Sequence, residues 1–264
     1  MKKFLTVALA GVLAASMLFT GCSKKAESKV PDKLIVGTNA EFPPFEYMND
    51  KKQPEGFDIA MIKEIGKRMG KKVEIKNMEF KSLIGAMESD SINAIIAGMT
   101  KTEKREKAVD FSDSYYTTNQ AIILKKDSKI TKLAQLDGKK IGVQEGTTGD
   151  LISSGDKFGD GKKAKVLVKG AKVKRFKKGV DAVMDLKNGS VDAVVIDELT
   201  ANEFVKKNAK KLKIVIDSAG SEYYCIALTK GNTAYKEEVN KQIKAIKEDG
   251  TYDKLKAKYI DSAN

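Results

Sequence analysis

The stretch Ala94-Ile95-Ile96-Ala97-Gly98-Met99-Thr100-Lys101-Thr102-Glu103-Lys104-Arg105, continuing through Asp110-Phe111-Ser112 to Tyr115-Tyr116, decides how this 264-residue chain is read. The apolar run Ala94 to Ala97 reads as a buried strand. It ends at Gly98, where the missing side chain lets another group approach the backbone closely. Thr100 and Thr102 alternate with charged residues, and Arg105 falls on the first turn of a short helix. Hydroxyls and freed backbone N–H groups at a strand-to-helix junction suit an anion. A guanidinium adds a planar fork that grips a carboxylate through two bonds. Only Arg68, Arg105 and Arg175 among the 49 basic residues are arginine. In a chain that uses lysine for surface charge, an arginine implies a geometric requirement. A strand, a turn and a solvated basic helix would produce the same local pattern, so the surroundings must arbitrate.

Those surroundings alternate strand and helix, which argues for a parallel α/β sheet. Leu34 to Thr38 is a buried strand. Asn39 to Tyr47 carries Pro43 and Pro44, which bar helix and ladder alike, so it is a stiff loop at a strand end. Phe45 is expected in the core and Phe42 on a pocket wall. A helix runs from Gly56-Phe57-Asp58 to about Met69-Gly70, followed by a strand at Val73 to Ile75 and an amphipathic helix at Leu83 to Met87. After Tyr116 the polar run Thr117 to Gln120 reads as a crossing into a second lobe. That lobe holds a strand at Ala121 to Leu124, a short helix from Ile130 to Leu136, a strand at Ile141 to Val143, and the turn Gln144-Glu145-Gly146-Thr147-Thr148. Gly155 to Gly170 reads as an exposed loop plus an edge, and Val180 to Leu186 as a helix. Val191 to Asp197 echoes Ile92 to Ala97, so the two lobes share one plan. Asp197 ends an apolar strand, where a carboxylate is costly unless partnered, although it also suits the N-cap of the next helix. Leu212 to Ile216 is a strand, Asp217 to Ser221 a second polar crossing, and Tyr224 to Leu228 returns to the first lobe. Two C-terminal helices, Tyr235 to Asp249 and Tyr252 to Tyr259, complete its packing.

Composition narrows the function classes. Hydrophobic residues make up 41% of the chain, enough for a core, and the net charge is +13. The lysines are dispersed and no aromatic-and-basic signature accompanies them, so nucleic acid is not an expected partner. The densest basic run, Lys172 to Lys178, reads as a solvated loop or helix face. With no histidine and two cysteines, no metal site, redox centre or other cofactor is expected. Lys2 and Lys3 precede an apolar stretch from Phe4 to Phe19, the layout of a signal peptide. It closes on Leu18-Phe19-Thr20-Gly21-Cys22, which resembles a lipobox, with Phe19 where leucine is more usual. The resemblance implies that Cys22 is the lipidation site, followed by a polar tether, with ordinary leader cleavage near Gly21 as the alternative. Cys225, in an apolar strand, is expected to be a buried, inert thiol.

Ala97-Gly98-Met99-Thr100-x-Thr102-x-x-Arg105, with Asp110-Phe111-Ser112-x-x-Tyr115-Tyr116, resembles the carboxylate-binding segment of the polar amino acid-binding proteins of bacterial ABC importers, the family 3 extracellular solute-binding proteins. Related blocks recur in order, among them Thr38-Asn39-x-x-Phe42 and Gly56-Phe57-Asp58, where Ala60 replaces a second acid. The resemblance implies a two-lobe, periplasmic-binding-protein-like α/β fold with two interlobe crossings. The divisions expected are a leader at 1–21, a lipid-anchored tether at 22–32, one lobe at 33–117 and 222–264, and the other at 118–221. It further implies that Arg105, Thr100 and backbone near Gly98 and Thr148 hold an α-carboxylate, with Thr147 a further ligand-binding residue. Asp197 and the Gly98 carbonyl would hold the α-ammonium. Phe42 and Phe80 would flank the side chain, with Asn39 and Gln144 nearby. Such a protein, a monomer on the outer face of the membrane, would hand a free L-amino acid to permease subunits.

Asn39, Glu41, Gln144 and Glu145 favour a polar or cationic side chain, so lysine, arginine or histidine leads, with glutamine or cystine as alternatives. A different class remains open at this stage: an enzyme like the cyclohexadienyl dehydratases with Glu145 as general acid, or an extracellular sensor.

Overall fold

A computed structural model of the protein describes residues 29–159 and 164–262. The leader at 1–21, Cys22 and the tether as far as Ser28 lie outside the described residues. In chain order the strands are β1 (Lys33–Thr38), β2 (Glu41–Phe42), β3 (Glu46–Met48), β4 (Pro54–Glu55), β5 (Lys72–Asn77), β6 (Ala94–Ile95), β7 (Val109–Lys125), β8 (Lys140–Gln144), β9 (Lys157–Phe158), β10 (Lys165–Val166), β11 (Lys172–Phe176), β12 (Ala193–Asp197) and β13 (Leu212–Thr229). The helices are α1 (Phe57–Arg68), α2 (Leu83–Glu88), α3 (Glu103–Glu106), α4 (Thr148–Ser153), α5 (Gly179–Asn188), α6 (Glu198–Lys206), α7 (Thr233–Glu248) and α8 (Thr251–Lys256).

Eight strands form one sheet in the order β11-β8-β12-β7-β13-β6-β1-β5. β1 runs parallel to β5 and β6, and β8 runs parallel to β11 and β12. Between these groups lies an antiparallel ribbon of β7 and β13, which also pair antiparallel with β12 and β6 respectively. Two parallel α/β lobes on a shared ribbon are the architecture expected from the strand–helix alternation.

The ribbon departs from the sequence expectation. Thr117 to Gln120 and Asp217 to Ser221 do not break the chain into separate strands. They lie inside β7, 17 residues long, and β13, 18 residues long. Polar residues can occupy a strand when their backbone groups are paired across the ladder. Here Thr118 faces Glu222 and Gln120 faces Asp217, with a register shift between these pairs. Two smaller corrections follow the same logic. Only Leu133–Leu136 of the expected 130–136 helix is helical, as a 3-10 turn. The basic run at 172–178 is mostly β11, an outer strand of the sheet, where lysines discourage pairing with another chain.

Local chemistry explains how the cleft loops are held. Gly56 has φ +124, and a Cβ there would meet the Phe45 carbonyl oxygen at 2.2 Å, so only glycine fits. Just beyond it, the Phe57 and Asp58 amides donate to the Pro44 and Phe45 carbonyls, docking the proline loop on the start of α1. Phe45 is fully buried, as expected. Its ring lies 4.9 Å from that of Tyr116 and 5.0 Å from that of Tyr224, both edge-on. Phe57, Tyr115 and Tyr252 extend this cluster, joining the proline loop, α1, β7, β13 and α8. Aromatic pairs add ~0.5–1.5 kcal/mol each beyond area burial, which makes this a stiff floor. The C-terminal helices serve lobe packing through buried Val239, Ile243 and Ile246. Cys225 is a free, buried thiol whose pKa burial pushes up to about 11.

Candidate functional site

The ends of β1, β6, β8 and β12 meet between the lobes around one small, tightly closed cavity. All ten residues expected at a site from the sequence line it: Asn39, Phe42, Phe80, Gly98, Thr100, Arg105, Gln144, Thr147, Thr148 and Asp197. Gly98 has φ +52, and a Cβ there would crowd the Phe42 ring at 3.2 Å and Tyr224 at 3.4 Å. The glycine therefore keeps the turn after β6 flush with the aromatic wall.

Arg105 is buried, at 6% exposure, in α3, whose N-cap Thr102 accepts the Arg105 amide at 3.3 Å. Its Nη1 donates to the Thr100 carbonyl at 2.6 Å and its Nη2 to the Gly146 carbonyl at 3.0 Å, so the guanidinium ties one lobe to the other. The Phe80 ring centre lies 5.3 Å from Cζ, a cation–π distance. Burial pulls the Arg105 pKa down to about 10, against the pull of Glu222 and Asp197, so the group is cationic at neutral pH. Arg68 and Arg175 also make multiple polar contacts, Arg68 with Glu64, Asp249 and Thr251 and Arg175 with Asp150 and Ser154.

Asp197 occupies the N-cap position of α6 but makes no side-chain capping bond. Its carboxylate turns inward instead, where Oδ1 accepts the Tyr224 hydroxyl at 2.7 Å. Burial, reinforced by the Glu222 carboxylate, holds its pKa well above the usual range.

The remaining residues are more committed to one another than the sequence suggests. Asn39 donates to the Met78 carbonyl at 2.7 Å and accepts from Gln144 Nε2 across the cleft at 2.7 Å. Gln144 also donates to the Lys177 carbonyl at 3.2 Å, while its buried Oε1 meets no donor. Thr147 caps α4, accepting the Asp150 amide at 3.3 Å and donating to the Gln144 carbonyl at 2.8 Å. Thr100, expected to give its hydroxyl proton to a carboxylate ligand, gives it to Glu222 at 2.5 Å. Glu41 and Glu145, read as attraction for a cation, lie at the rim instead. There Glu145 pairs with Lys81 at 2.9 Å and Glu41 with Lys178 at 2.7 Å, while Glu79 pairs with Lys177 at 2.6 Å.

These three pairs all join one lobe to the other and lie open to solvent, so each contributes weakly and is screened by salt. Replacing Lys177 and Lys178 together with alanine is expected to weaken any cleft ligand by about three- to tenfold at low ionic strength. The loss should shrink markedly in half-molar salt. Equal losses at both salt concentrations, measured by calorimetric titration, would rule out this electrostatic contribution.

Glu222, Gln120 and Tyr224 escaped the sequence reading as site components. A signal was present for Glu222. It sits two and four residues before buried Tyr224 and Ile226, so strand periodicity points a carboxylate toward the core. No contact order can be read from the sequence for its three donors, which come from both lobes and the ribbon.

Two α/β lobes on a crossing ribbon, with a buried cation and a buried carboxylate on the wall of one enclosed cavity, define a cleft-type binding protein. Residues 34–262 match the bacterial extracellular solute-binding proteins, family 3. The arginine-binding extracellular protein ArtP of Bacillus subtilis (strain 168) is 33% identical over 263 residues, covering 98% of each chain. An ancestral arginine-binding protein bound to arginine has a TM-score of 0.76 at 40% identity, over 88% of this chain and 100% of that one. An ancestral arginine-binding protein bound to glutamine has a TM-score of 0.77 at 41% identity, over 88% and 99%. The chain belongs to the family 3 extracellular solute-binding proteins.

Proposed function

We propose that this protein captures a free amino acid with a basic side chain between its lobes and delivers it to an ABC importer, without chemistry on the ligand. The observation that carries the reading is the pairing of buried Arg105 with buried Asp197 on the wall of one cavity. A zwitterion presents the complementary pair of charges, and binding both halves only in the closed state supplies the differential affinity that closure needs. Arg105 takes the α-carboxylate and Asp197, with the Gly98 carbonyl, takes the α-ammonium. Phe42 and Phe80 flank the side chain, and the donor-free Gln144 Oε1 favours a side chain rich in N–H groups. The arginine-binding relatives support the same class. Glutamine is the second reading, because a neighbour at 41% identity is described bound to glutamine.

One lobe comprises 33–117 and 222–264 and the other 118–221, with monomers tethered to the outer face of the membrane through lipidated Cys22. Cys22→Ala is expected to release the protein from membranes into the soluble fraction. Retention by washed membranes would refute the anchor.

The deciding experiment is calorimetric titration of protein beginning after Cys22, unfolded and refolded to strip carried ligand, against the twenty common amino acids, ornithine and cystine. Tight one-to-one binding of arginine, lysine or histidine is expected. Arg105→Ala should weaken it at least about 100-fold, as for a buried charge partner. A folded protein silent to the whole panel would sink the reading, and turnover of prephenate or arogenate would replace it with an enzyme.

A further inference from the structure

Glu222 is a buried acid on the ribbon that binds two residues of the cavity wall and for which the proposed ligand contacts leave no role. It is 1% exposed and sits on β13 just after the register shift in the ribbon. Its Oε2 accepts the Thr100 hydroxyl at 2.5 Å and the Thr148 hydroxyl at 2.7 Å, and its Oε1 accepts Gln120 Nε2 at 2.6 Å. Those three donors come from one lobe, the other lobe and β7. Burial raises the Glu222 pKa, the three hydrogen bonds and the Arg105 charge pull it back, and the geometry of one carboxylate facing three donors is that of the ionised, acceptor-only form.

The consequence lies on the far side of the hydroxyls. A threonine has one proton to give. With both protons directed at Glu222, only lone pairs of Thr100 Oγ1 and Thr148 Oγ1 remain for the cavity that both residues line. Thr148 Oγ1 also accepts from Gln120 Nε2 at 3.2 Å, which further favours the orientation with its proton on Glu222. Asp197, on the same cavity wall, adds a further acceptor.

Building on the amino acid-binding reading, we propose that Glu222 is a positioning residue that sets the hydrogen-bond polarity of the cleft, by holding the Thr100 and Thr148 hydroxyls as acceptors for a ligand ammonium. A ligand with a hydroxyl or carbonyl in place of that ammonium loses several acceptors' worth of partners at once. The carboxylate half of the ligand is left to Arg105, since the threonine oxygens repel it.

Glu222→Gln tests this directly. An amide must place its N–H₂ either against the Gln120 amide, donor facing donor, or against the two hydroxyls, which then turn their protons into the cleft. The probes are L-arginine and its 2-hydroxy analogue, 2-hydroxy-5-guanidinopentanoate, titrated calorimetrically into wild-type and variant protein. Wild type is expected to prefer arginine at least about 100-fold, because a site built to hydrogen-bond a polar group rejects an analogue that lacks it. Glu222→Gln should cut that ratio at least about tenfold, chiefly through weaker arginine binding. Thr148→Val, which removes one acceptor and leaves Glu222 in place, should also lower the ratio and stands in if the glutamine variant does not fold. A merely structural Glu222 would weaken both probes equally, and an unchanged ratio in either folded variant overturns the proposal while the cleft reading survives. Wild-type protein that binds neither probe defeats the basic amino acid reading and this proposal with it.

Discussion

Asp197→Asn is expected to bind its amino acid about 100- to 1,000-fold more weakly than wild type and, without ligand, to melt at a higher temperature. Both halves follow from one carboxylate. Asp197 is buried beside Glu222, so its charged form is disfavoured in the empty cleft. An amide at this position keeps an acceptor for the Tyr224 hydroxyl and removes the like-charge repulsion. The stabilisation should be of order 1–2 kcal/mol, typical for relieving an unfavourable buried charge. An incoming ammonium, in contrast, needs that charge, and losing a buried, hydrogen-bonded charge partner costs ~2–5 kcal/mol. Thermal melts of unliganded protein and calorimetric titration measure the two effects separately. Unchanged affinity would remove Asp197 from the ammonium site. Weak binding with a lowered melting temperature would mean that Asp197 supports the fold instead.

The pH dependence carries the second large effect, with opposite signs for stability and binding. Beneath the cleft, Asp58 and Glu46 are both fully buried. Asp58 Oδ2 accepts the Gly98 amide at 2.8 Å and the Tyr115 hydroxyl at 2.7 Å, while no donor meets Asp58 Oδ1 or either Glu46 oxygen. A proton shared between the two carboxyl groups pairs one Glu46 oxygen with Asp58 Oδ1 and removes the repulsion of two buried charges. Burial pushes Asp58 from 3.8 up to about 6, and burial with the Asp58 charge raises Glu46 well above its ordinary value. The folded protein thus holds more protons than the unfolded chain in this window. Stability of the unliganded protein therefore rises as pH falls through about 6 toward 4, by up to about 3 kcal/mol from Asp58 alone, with little contribution above pH 7. Asp197, whose pKa is also raised, loses its charge as pH falls, so affinity for an ammonium decreases over the acid range. Asp58→Asn keeps an acceptor for Gly98 and Tyr115, offers Glu46 a donor, and should flatten the stability slope between about pH 4 and 6. Denaturant titrations at several pH values measure this slope. A slope identical to wild type would exclude Asp58 as its source.

Lipid anchoring and importer delivery extend the same reading beyond the cleft. Three interlobe ion pairs at the rim and the Arg105 bridge to Gly146 describe a closed arrangement held by few direct bonds. Such an arrangement suits a binder in which the ligand supplies the remaining closure energy.

What the sequence by itself determined is local in origin. Buried strands that lead into Gly98 and end at Gln144 and Asp197 are written in short apolar runs followed by turn and helix-start residues, and such signals need no knowledge of the rest of the chain. The ten cavity residues were legible because each sits within a few positions of such a junction, in blocks long enough to carry a family resemblance. Tertiary structure alone decided what these groups do to one another. The polar crossings became one continuous ribbon because pairing across β7 and β13 satisfies backbone groups that local pattern leaves open. Glu41 and Glu145 went to the rim because lysines from the opposite lobe, more than 60 positions away in sequence, meet them there. Glu222 is the sharpest case. Its neighbours in the chain show only that a carboxylate enters a buried face, whereas the direction of two hydroxyl protons depends on donors 122, 74 and 102 positions distant. Hydrogen-bond polarity is a property of the assembled network, and a sequence lists its members without saying which of them gives the proton.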